Sequence, residues 1–346
     1  MVNRKGLEVS VSQLGIVAIG RNEGDRLRQC LESVVGKAAT VVYVDSGSTD
    51  DSVSLAQSLG VTVVDLDLST PFTAARARNA GFARLLELNP GVDYVQFVDG
   101  DCEIVEGWLE AAQQVLDRQP EVVVVCGRRR ERYPQASIYN HLCDLEWDTP
   151  VGEAKACGGD AMMRVKAVKQ VGGYNPTLIA GEEPELCVRL RQQGGKILRI
   201  DAEMTLHDAA MTRFSQWWKR TQRAGHAYAE GAFLHGAPPE RHWVKESRSI
   251  WLWGLGIPAI ALVGTGLTQG WSLLLFLGYP LITFKIARSL QAIGRSTRDS
   301  WLYAIACVVG KFANTQGQLQ FYWNRLRGQR SHLIEYNAVN PQKPAT

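Results

Sequence analysis

Five short apolar runs, each rich in Val or Ile and bounded by Gly, Asp, Ser or Pro, punctuate the first part of the chain. They are Leu14–Gly20, Thr40–Asp45, Val61–Leu66, Tyr94–Asp99 and Glu121–Cys126. Helix-patterned segments lie between them. Asp25–Val35 sets Leu27, Leu31, Val34 and Val35 on one face, and Thr73–Leu88 sets Ala77, Ala80, Gly81 and Leu85 at similar spacing. A further strand is expected over Lys196–Asp201. Strand–helix alternation with nearly all-apolar strands predicts an α/β fold with a mostly parallel central sheet flanked by helices. Such sheets bind ligands beyond the carboxyl ends of their strands, so chemistry is sought there.

The pattern changes after about residue 245. Ser249–Gln269 and Trp271–Phe284 carry no charge and are strongly apolar, at lengths straddling the roughly 20 residues that span a bilayer. Only Thr268-Gln269-Gly270 separates them, so they read as a tight helical hairpin. Arg241, Lys245 and Arg248 precede it and Lys285, Arg288, Arg295 and Arg298 follow, which sets both ends on the cytoplasmic side. A third apolar stretch, Trp301–Ala313, leads into Arg325, Arg327 and Arg330 and reads as interfacial or re-entrant. The competing reading makes all three stretches core helices of a soluble domain. The expected organisation is a catalytic domain over 1–235 and a membrane-associated helical region over 236–346.

Composition excludes several classes. Of 346 residues 45% are hydrophobic and 21% charged, enough to build a large core, and the net charge of +3 is too small to argue for nucleic acid. Seven cysteines lie scattered without a CxxC pair, which suits reduced, packed thiols in a cytosolic compartment and neither a disulfide framework nor a zinc site. The segment MVNRKGLEVSVSQ has no apolar stretch, so no secretory signal peptide is expected.

Asp99-Gly100-Asp101 closes the run YVQFVDGD. Residues i and i+2 of a strand share a face, so both carboxylates are expected to address one cation, with the glycine admitting a ligand close to the backbone. Hard oxygen donors of this kind suit Mg²⁺ or Mn²⁺ bridging a diphosphate. The tripeptide alone is also ordinary turn chemistry. Its context is more specific: Arg21-Asn22-Glu23 follows the first run, Asp45-Ser46-Gly47-Ser48-Thr49-Asp50 the second, and Ala75-Arg76-Ala77-Arg78-Asn79-Ala80-Gly81 opens a helix.

These four segments, in this order, resemble the family 2 glycosyltransferases of the GT-A fold, of the membrane-associated bacterial type, over about residues 14–235. The resemblance implies that Glu23 and Asp45 contact the nucleoside base and ribose. Arg78, with Arg76, would offset charge near the diphosphate. Asp99 would sit near ribose and metal, and Asp101 would ligate the metal. Without it, Ser48 and Asp50 read as helix caps and Arg76 as a solvated charge.

The second half carries Gly158-Gly159-Asp160-Ala161-Met162-Met163-Arg164, Val171-Gly172-Gly173-Tyr174-Asn175 and Gly181-Glu182-Glu183-Pro184-Glu185-Leu186. These resemble the family's acceptor half, where the second acid of a Glu-Asp pair is the general base. That position is Glu183 here, a glutamate with one more methylene of reach, beside Glu182. The same acids could merely complement a helix N-terminus with Pro184 at its first position. His207, after the last expected strand, matches a position that some members use as a further metal or phosphate ligand. Gln216–Arg223 is basic and tryptophan-rich, and reads as an interfacial helix or as a segment closing over the diphosphate. Arg128-Arg129-Arg130 reads as a solvated basic turn or a site for acceptor or headgroup phosphates.

The resulting expectation is a metal-dependent inverting glycosyltransferase at the cytoplasmic membrane. It would move sugar from a nucleotide-sugar donor to a hydroxyl acceptor, a glycan or lipid-linked saccharide of the cell envelope or exopolysaccharide. A polyprenol-phosphate sugar transferase shares the fold, but its acceptor ionises without a strong base. A non-catalytic membrane-anchored nucleotide-sugar binding protein would not need the ordered acids. A dinucleotide oxidoreductase would carry GxGxxG where this chain has Gly20-Arg21-Asn22-Glu23-Gly24. A processive synthase would need more apolar segments.

Overall fold

The computed structural model describes residues 13–329 and 334. The segment read for a signal peptide, apart from Gln13, lies outside these residues, as does Arg330. The chain forms two compact units: residues up to Arg132 with Trp147–Leu178 and Glu182–Ala209, and a second of Tyr133–Glu146, Ile179–Gly181 and the residues from Ala210 onward. The division read from the sequence at 235/236 falls within the second unit's run of helices.

Among the described residues the first unit has nine strands: β1 (Leu14–Gly20), β2 (Thr40–Asp45), β3 (Thr62–Asp65), β4 (Tyr94–Asp99), β5 (Cys102–Ile104), β6 (Val122–Glu131), β7 (Gly152–Glu153), β8 (Ala161–Arg164) and β9 (Lys196–His207). Their order is β3-β2-β1-β4-β8-β6-β9-β5, with β7 on β9. The first four in that order are mutually parallel, β8 runs antiparallel to β4 and β6, and β9 runs parallel to β6. This is the expected mostly parallel sheet. Its inner strands are nearly all apolar because helices cover both faces, and Ile16, Val17, Ala18, Val42, Tyr43, Val44, Val95, Phe97 and Val98 are fully buried.

The helix Ala74–Leu88 shows how closely the layers approach. Thr73 caps it, its hydroxyl accepting from the Arg76 N–H at 3.2 Å. A Cβ at Gly81 would sit 2.4 Å from Val17 and 2.8 Å from Val44, so only glycine lets this helix lie on β1 and β2. Two neighbouring elements are shorter than their sequence patterns predict. The helix from Asp25 ends at Glu32, which leaves Val35 exposed, and the third strand is shorter than its apolar run.

The second unit is helical. Phe214–His235 crosses Thr297–Leu326 at glycines: a Cβ at Gly225 would meet the Asn314 backbone at 2.1 Å, and one at Gly317 the Gln222 carbonyl at 1.9 Å. Trp301–Ala313 therefore lies inside one continuous 30-residue helix, not in a re-entrant segment. The predicted hairpin is present. Val244–Val263 is helical with a π-turn at Leu252–Gly256, just before Pro258, which supplies no N–H and needs the looser turn. After the turn at residues 264–270, Trp271–Ala292 returns. Ser272 Oγ donates to the Ala261 carbonyl at 2.7 Å and ties the two arms.

Trp271–Ala292 is the one helix among the described residues long and apolar enough to cross a membrane, by length and composition, and only 6% of its most apolar window is buried. Leu267 at the tip is 90% exposed. These arms are therefore not the interior of a soluble domain. Trp217 and Trp218 do not form an exposed belt either. Trp217 is buried against Tyr139 and Phe214, and Trp218 Nε1 donates to Gln316 at 2.9 Å.

Candidate active site

The parallel register brings three strand ends together: Gly20 pairs with Asp45, and Ile19 with Asp99. The turns beyond β1 and β2 are laced to each other. Asn22 N–H donates to Ser48 Oγ at 2.9 Å, Asn22 Oδ1 accepts from the Thr49 N–H at 2.7 Å, and Gly24 N–H donates to Asp50 at 3.2 Å. Asn22 and Gly24 both take positive φ, 56° and 54°, which those residues tolerate. Asp50 also accepts from the Ser52 N–H at 3.1 Å, so part of its work is at the start of the next helix.

Asp45 is 4% exposed and organises its own turn. Its carboxylate accepts from the N–H groups of Gly47 and Ser48 at 2.9 and 2.7 Å and from the Tyr43 hydroxyl at 3.0 Å. Glu23 faces the same strand ends. Burial pushes its carboxyl up to about 7, Asp101 adds to the effect, and Arg26 at 2.7 Å opposes it. The glycine between the two aspartates serves a tight backbone: a Cβ at Gly100 would sit 3.0 Å from the Ile19 carbonyl and 3.3 Å from the Glu23 side chain.

Asp99 and Asp101 do not share a strand face. β4 ends at Asp99 and a turn follows before β5 begins at Cys102. Asp99 meets cations instead: Arg78 Nη2 at 2.6 Å and Arg129 Nη2 at 3.7 Å. Burial alone would raise the Asp99 carboxyl, but Arg78, Arg129 and His207 together hold it below the usual aspartate range. Arg78 is buried and spans two acids, with Nη1 on Glu182 at 2.8 Å. Its neighbour Asn79 clamps the Tyr174 backbone in both directions, at 2.7 and 2.8 Å. The Arg-Asn-x-Gly segment thus sends one side chain to the acids, one to Tyr174 and none into the sheet. Arg76 stands apart from this group: its guanidinium donates to the carbonyls of Asp67, Thr70 and Pro71.

Asp101 turns toward β9. β5 pairs with β9 so that Cys102 faces His207 across the ladder, and Asp101 Oδ2 lies 3.3 Å from His207 Nε2. The other ring nitrogen lies 3.7 Å from buried Glu131, and Trp147 packs edge-on at 4.6 Å. Burial would lower the His207 pKa, but Asp101 and Glu131 outweigh it and raise it. A carboxylate oxygen and an imidazole nitrogen at this separation can share a divalent cation, and the cation would replace the ring proton. The nearby Cys102 thiol is pushed well above its usual value by burial, with Asp160 adding to the effect.

Two residues at the centre stand out in the sequence only as members of longer segments. Asp160, fully buried, accepts from the Asp99 N–H at 3.0 Å, from Thr205 Oγ1 at 2.9 Å, and pairs with Arg129 at 2.7 Å. Arg129 lies on β6, which continues through the arginine triplet to Glu131, so this is a strand and not a solvated turn. Alternate residues face opposite ways: Arg129 enters the acid cluster while Arg130 pairs outside with Glu203 at 2.6 Å. The signal that could have found them is Gly158-Gly159-Asp160. A Cβ at Gly159 would lie 2.6 Å from Asp99 Oδ2, 3.0 Å from Arg129 Nη2 and 3.1 Å from Arg78 Nη2.

The acidic helix starts at Glu182, so Pro184 is its third residue, not its first. Its three acids separate by direction. Glu182 meets Arg78, and Glu185 holds Arg189 through both oxygens at 2.7 to 3.1 Å. Glu183 enters a thiol pocket, where Oε1 accepts from the Cys157 N–H at 2.5 Å and the Cys187 thiol at 3.0 Å. Burial raises its carboxyl, while those two bonds pull the other way. None of the seven cysteines forms a disulfide.

Residues 16–172 match the family model "Glycosyl transferase family 2". The chain is 25% identical to the pre-mycofactocin glycosyltransferase of Mycobacterium tuberculosis over 312 residues, 82% of this chain and 61% of that protein. It is 28% identical to succinoglycan biosynthesis protein ExoA of Rhizobium meliloti over 196 residues, 52% of this chain and 58% of that protein. It thus spans between 34% and 61% of the length of the curated relatives it matches. Among solved structures it is similar in fold to the mannosyltransferase PcManGT of Pyrobaculum calidifontis, solved in complex with GDP-Man and Mn²⁺. That likeness has a TM-score of 0.58 at 15% identity and covers 90% of this chain and 88% of the other. With acids and turns ordered along β1, β2 and β4 as described, residues 16–172 carry the pattern of glycosyl transferase family 2, and the first unit has a GT-A fold.

Proposed function

We propose that this chain is an inverting glycosyltransferase. It moves a sugar from a nucleotide-sugar donor to a hydroxyl of a glycan or lipid-linked saccharide, in the making of envelope or exopolysaccharide. The observation that carries the reading is the pairing of Asp101 with His207 beside the strand ends that hold Glu23, Asp45 and Asp99. In this reading Glu23 and the turn built on Asp45 receive the nucleoside. Asp101 and His207 hold a divalent ion, Mg²⁺ or Mn²⁺, which when bound neutralises charge on the departing diphosphate. Asp99 borders the ion and fixes Arg78. Arg76 shapes the loop at 67–71 that edges the donor site.

Glu183 is the proposed base, with Glu182 holding Arg78. Burial favours proton uptake by Glu183, and the bonds to Cys157 and Cys187 fix one of its oxygens. One carboxylate taking the acceptor proton, with no enzyme nucleophile, implies inversion at the anomeric carbon. The exposed apolar hairpin and its basic flanks support placement at a membrane with the hairpin's ends on the cytoplasmic side.

The test is nucleoside diphosphate release from a panel of nucleotide sugars with Mn²⁺ and membrane-extract acceptors. Preferred turnover of one donor, lost in Asp101→Asn, is expected. Mn²⁺-dependent donor binding without turnover of any donor would make the chain a binding protein.

A further inference from the structure

Of the three acids that open the helix Glu182–Gln192, Glu183 alone meets no cation. It is 5% exposed, and among the described residues no Lys, Arg or His nitrogen lies within 4.0 Å of it. A buried carboxylate without a positive partner is costly, and such groups are ordinarily paired or bound to metal. Its neighbours are thiols. A Glu183 carboxylate oxygen, Cys157 Sγ and Cys187 Sγ lie within 4.8 Å of one another. The Cys187 thiol donates to Glu183 at 3.0 Å, and the two sulfurs are 3.7 Å apart.

The 30-residue gap between Cys157 and Cys187 matches no zinc spacing in the sequence. The fold closes it, because Cys187 stands one helical turn beyond Glu183 and the loop before β8 delivers Cys157. Sulfurs about 2.3 Å from a tetrahedral Zn²⁺ lie about 3.8 Å apart, close to the separation found. Packed thiols alone can approach as closely; the carboxylate without a cation supplies the reason for an ion.

Chemistry selects that ion. Burial pushes both thiols up, so each keeps its proton until a metal that binds sulfur strongly displaces it. Mg²⁺ and Mn²⁺ prefer oxygen ligands, whereas Zn²⁺ and its analogue Cd²⁺ take thiolates. Two thiolates and a carboxylate around a divalent ion leave one net negative charge. Arg191 stands one turn beyond Cys187, its guanidinium on the Lys155 carbonyl of the loop that carries Cys157. That loop is also the way in, since Lys155, Ala156 and Gly158 are exposed and Cys157 itself is 7% exposed.

We propose that Cys157, Cys187 and Glu183 form a site for a thiophilic divalent cation, Zn²⁺, separate from the Asp101–His207 pair, and that the ion shuts off transfer by occupying Glu183. Two thiol protons leave to solvent as two metal–sulfur bonds form, and the ion holds the lone pair that would take the acceptor's proton. The inhibition rests on the base proposed above; the site does not.

The experiment titrates reduced, metal-free, full-length protein with Cd²⁺, whose bonds to thiolate absorb in the ultraviolet. One equivalent with the absorbance of two thiolates is expected. Cys157→Ala and Cys187→Ser should each halve it and weaken binding at least about tenfold, while Cys102→Ser and Asp101→Asn leave it unchanged. Urea unfolding verifies that each variant is folded. No thiolate absorbance from folded wild-type protein, or absorbance indifferent to both cysteine changes, would overturn the site. Turnover in saturating Mn²⁺ is followed in the same titration. Inhibition should track the absorbance, resist added Mn²⁺, reverse with a competing dithiol, and weaken in Cys157→Ala relative to that variant's own rate. Cd²⁺ held by the thiols with turnover intact would overturn the inhibition and count against Glu183 as base. Turnover without thiolate absorbance sinks only this inference; thiolate absorbance without turnover of any donor sinks only the proposed function.

Discussion

Gly159→Ala adds one methyl group where three charged side chains converge. Its Cβ would lie 2.6 Å from Asp99 Oδ2, whereas ordinary contact begins at 3.4 Å, so something must retreat by about 0.8 Å. The two arginine contacts, at 3.0 and 3.1 Å, block retreat sideways. Asp99 is held by its bond to Arg78 at 2.6 Å, and Arg129 by its bond to Asp160 at 2.7 Å. Moving the carboxylate by that distance can stretch the Arg78–Asp99 bond from 2.6 to about 3.4 Å, well beyond the length of a strong charge-assisted bond. A hydrogen bond to a charged group is worth about 1.5–3 kcal/mol. The expected cost is therefore about 2 kcal/mol, read as a shifted midpoint with unchanged slope in urea unfolding. If the displaced Asp99 also disturbs the donor site, nucleoside diphosphate affinity falls by up to about 30-fold at the same energy. Stability and affinity both unchanged would refute the claim that this acid–guanidinium network is packed without slack.

Asp101→Asn and His207→Ala should each remove Mn²⁺-dependent turnover while unfolding near wild type, because an amide or a methyl cannot replace the lost ligand; turnover that survives in either would release that residue from the metal. Glu183→Gln should lower kcat by about 10² to 10⁴-fold with donor affinity unchanged, and Glu182→Gln should act mainly through Arg78 and donor affinity; equal kcat losses would count against a unique base. The raised Glu183 carboxyl sets a sign. As a base it works deprotonated, so kcat should fall as pH drops through a value above the usual glutamate range. In stability the same shift favours the folded protein below the ordinary glutamate pKa, and that advantage is lost as pH rises through the raised value. Gly317→Ala should destabilise the helical unit by at least about 1–3 kcal/mol, since its Cβ meets backbone 1.9 Å away, with nucleotide binding intact.

What the sequence made legible follows from how local each signal is. β1, β2 and β4 fall on the residues read for them, because a strand buried on both faces is apolar end to end and stops at Gly or Asp. Asp45 and Asp99 are legible for the same reason, as they terminate β2 and β4. Arg129 was not: its neighbours on β6 are arginines too, and only the sheet decides that one of them faces Asp160 while the next faces solvent. The i, i+2 reading of Asp99 and Asp101 fails because pairing of β5 with β9, just over a hundred residues away in sequence, turns the chain between them. Trp301–Ala313 is shorter than a membrane span and, from sequence, reads as interfacial or re-entrant. It extends to 30 residues because glycines at 310 and 317 and small residues between let other helices pack on its polar half. The separate directions of Glu182, Glu183 and Glu185 depend likewise on partners that arrive from Arg78, Cys157 and Arg189.

The central claim is that the strand ends of the first unit bind a nucleoside diphosphate through a cation shared by Asp101 and His207. Calorimetric titration of the full-length protein with UDP and with GDP, each with and without Mn²⁺, measures it directly. The account predicts that at least one of them binds in Mn²⁺, that chelation weakens it, and that Asp101→Asn leaves only the metal-free level. Binding that is indifferent to Mn²⁺ and to Asp101, or absent for both nucleotides in folded protein, would contradict it.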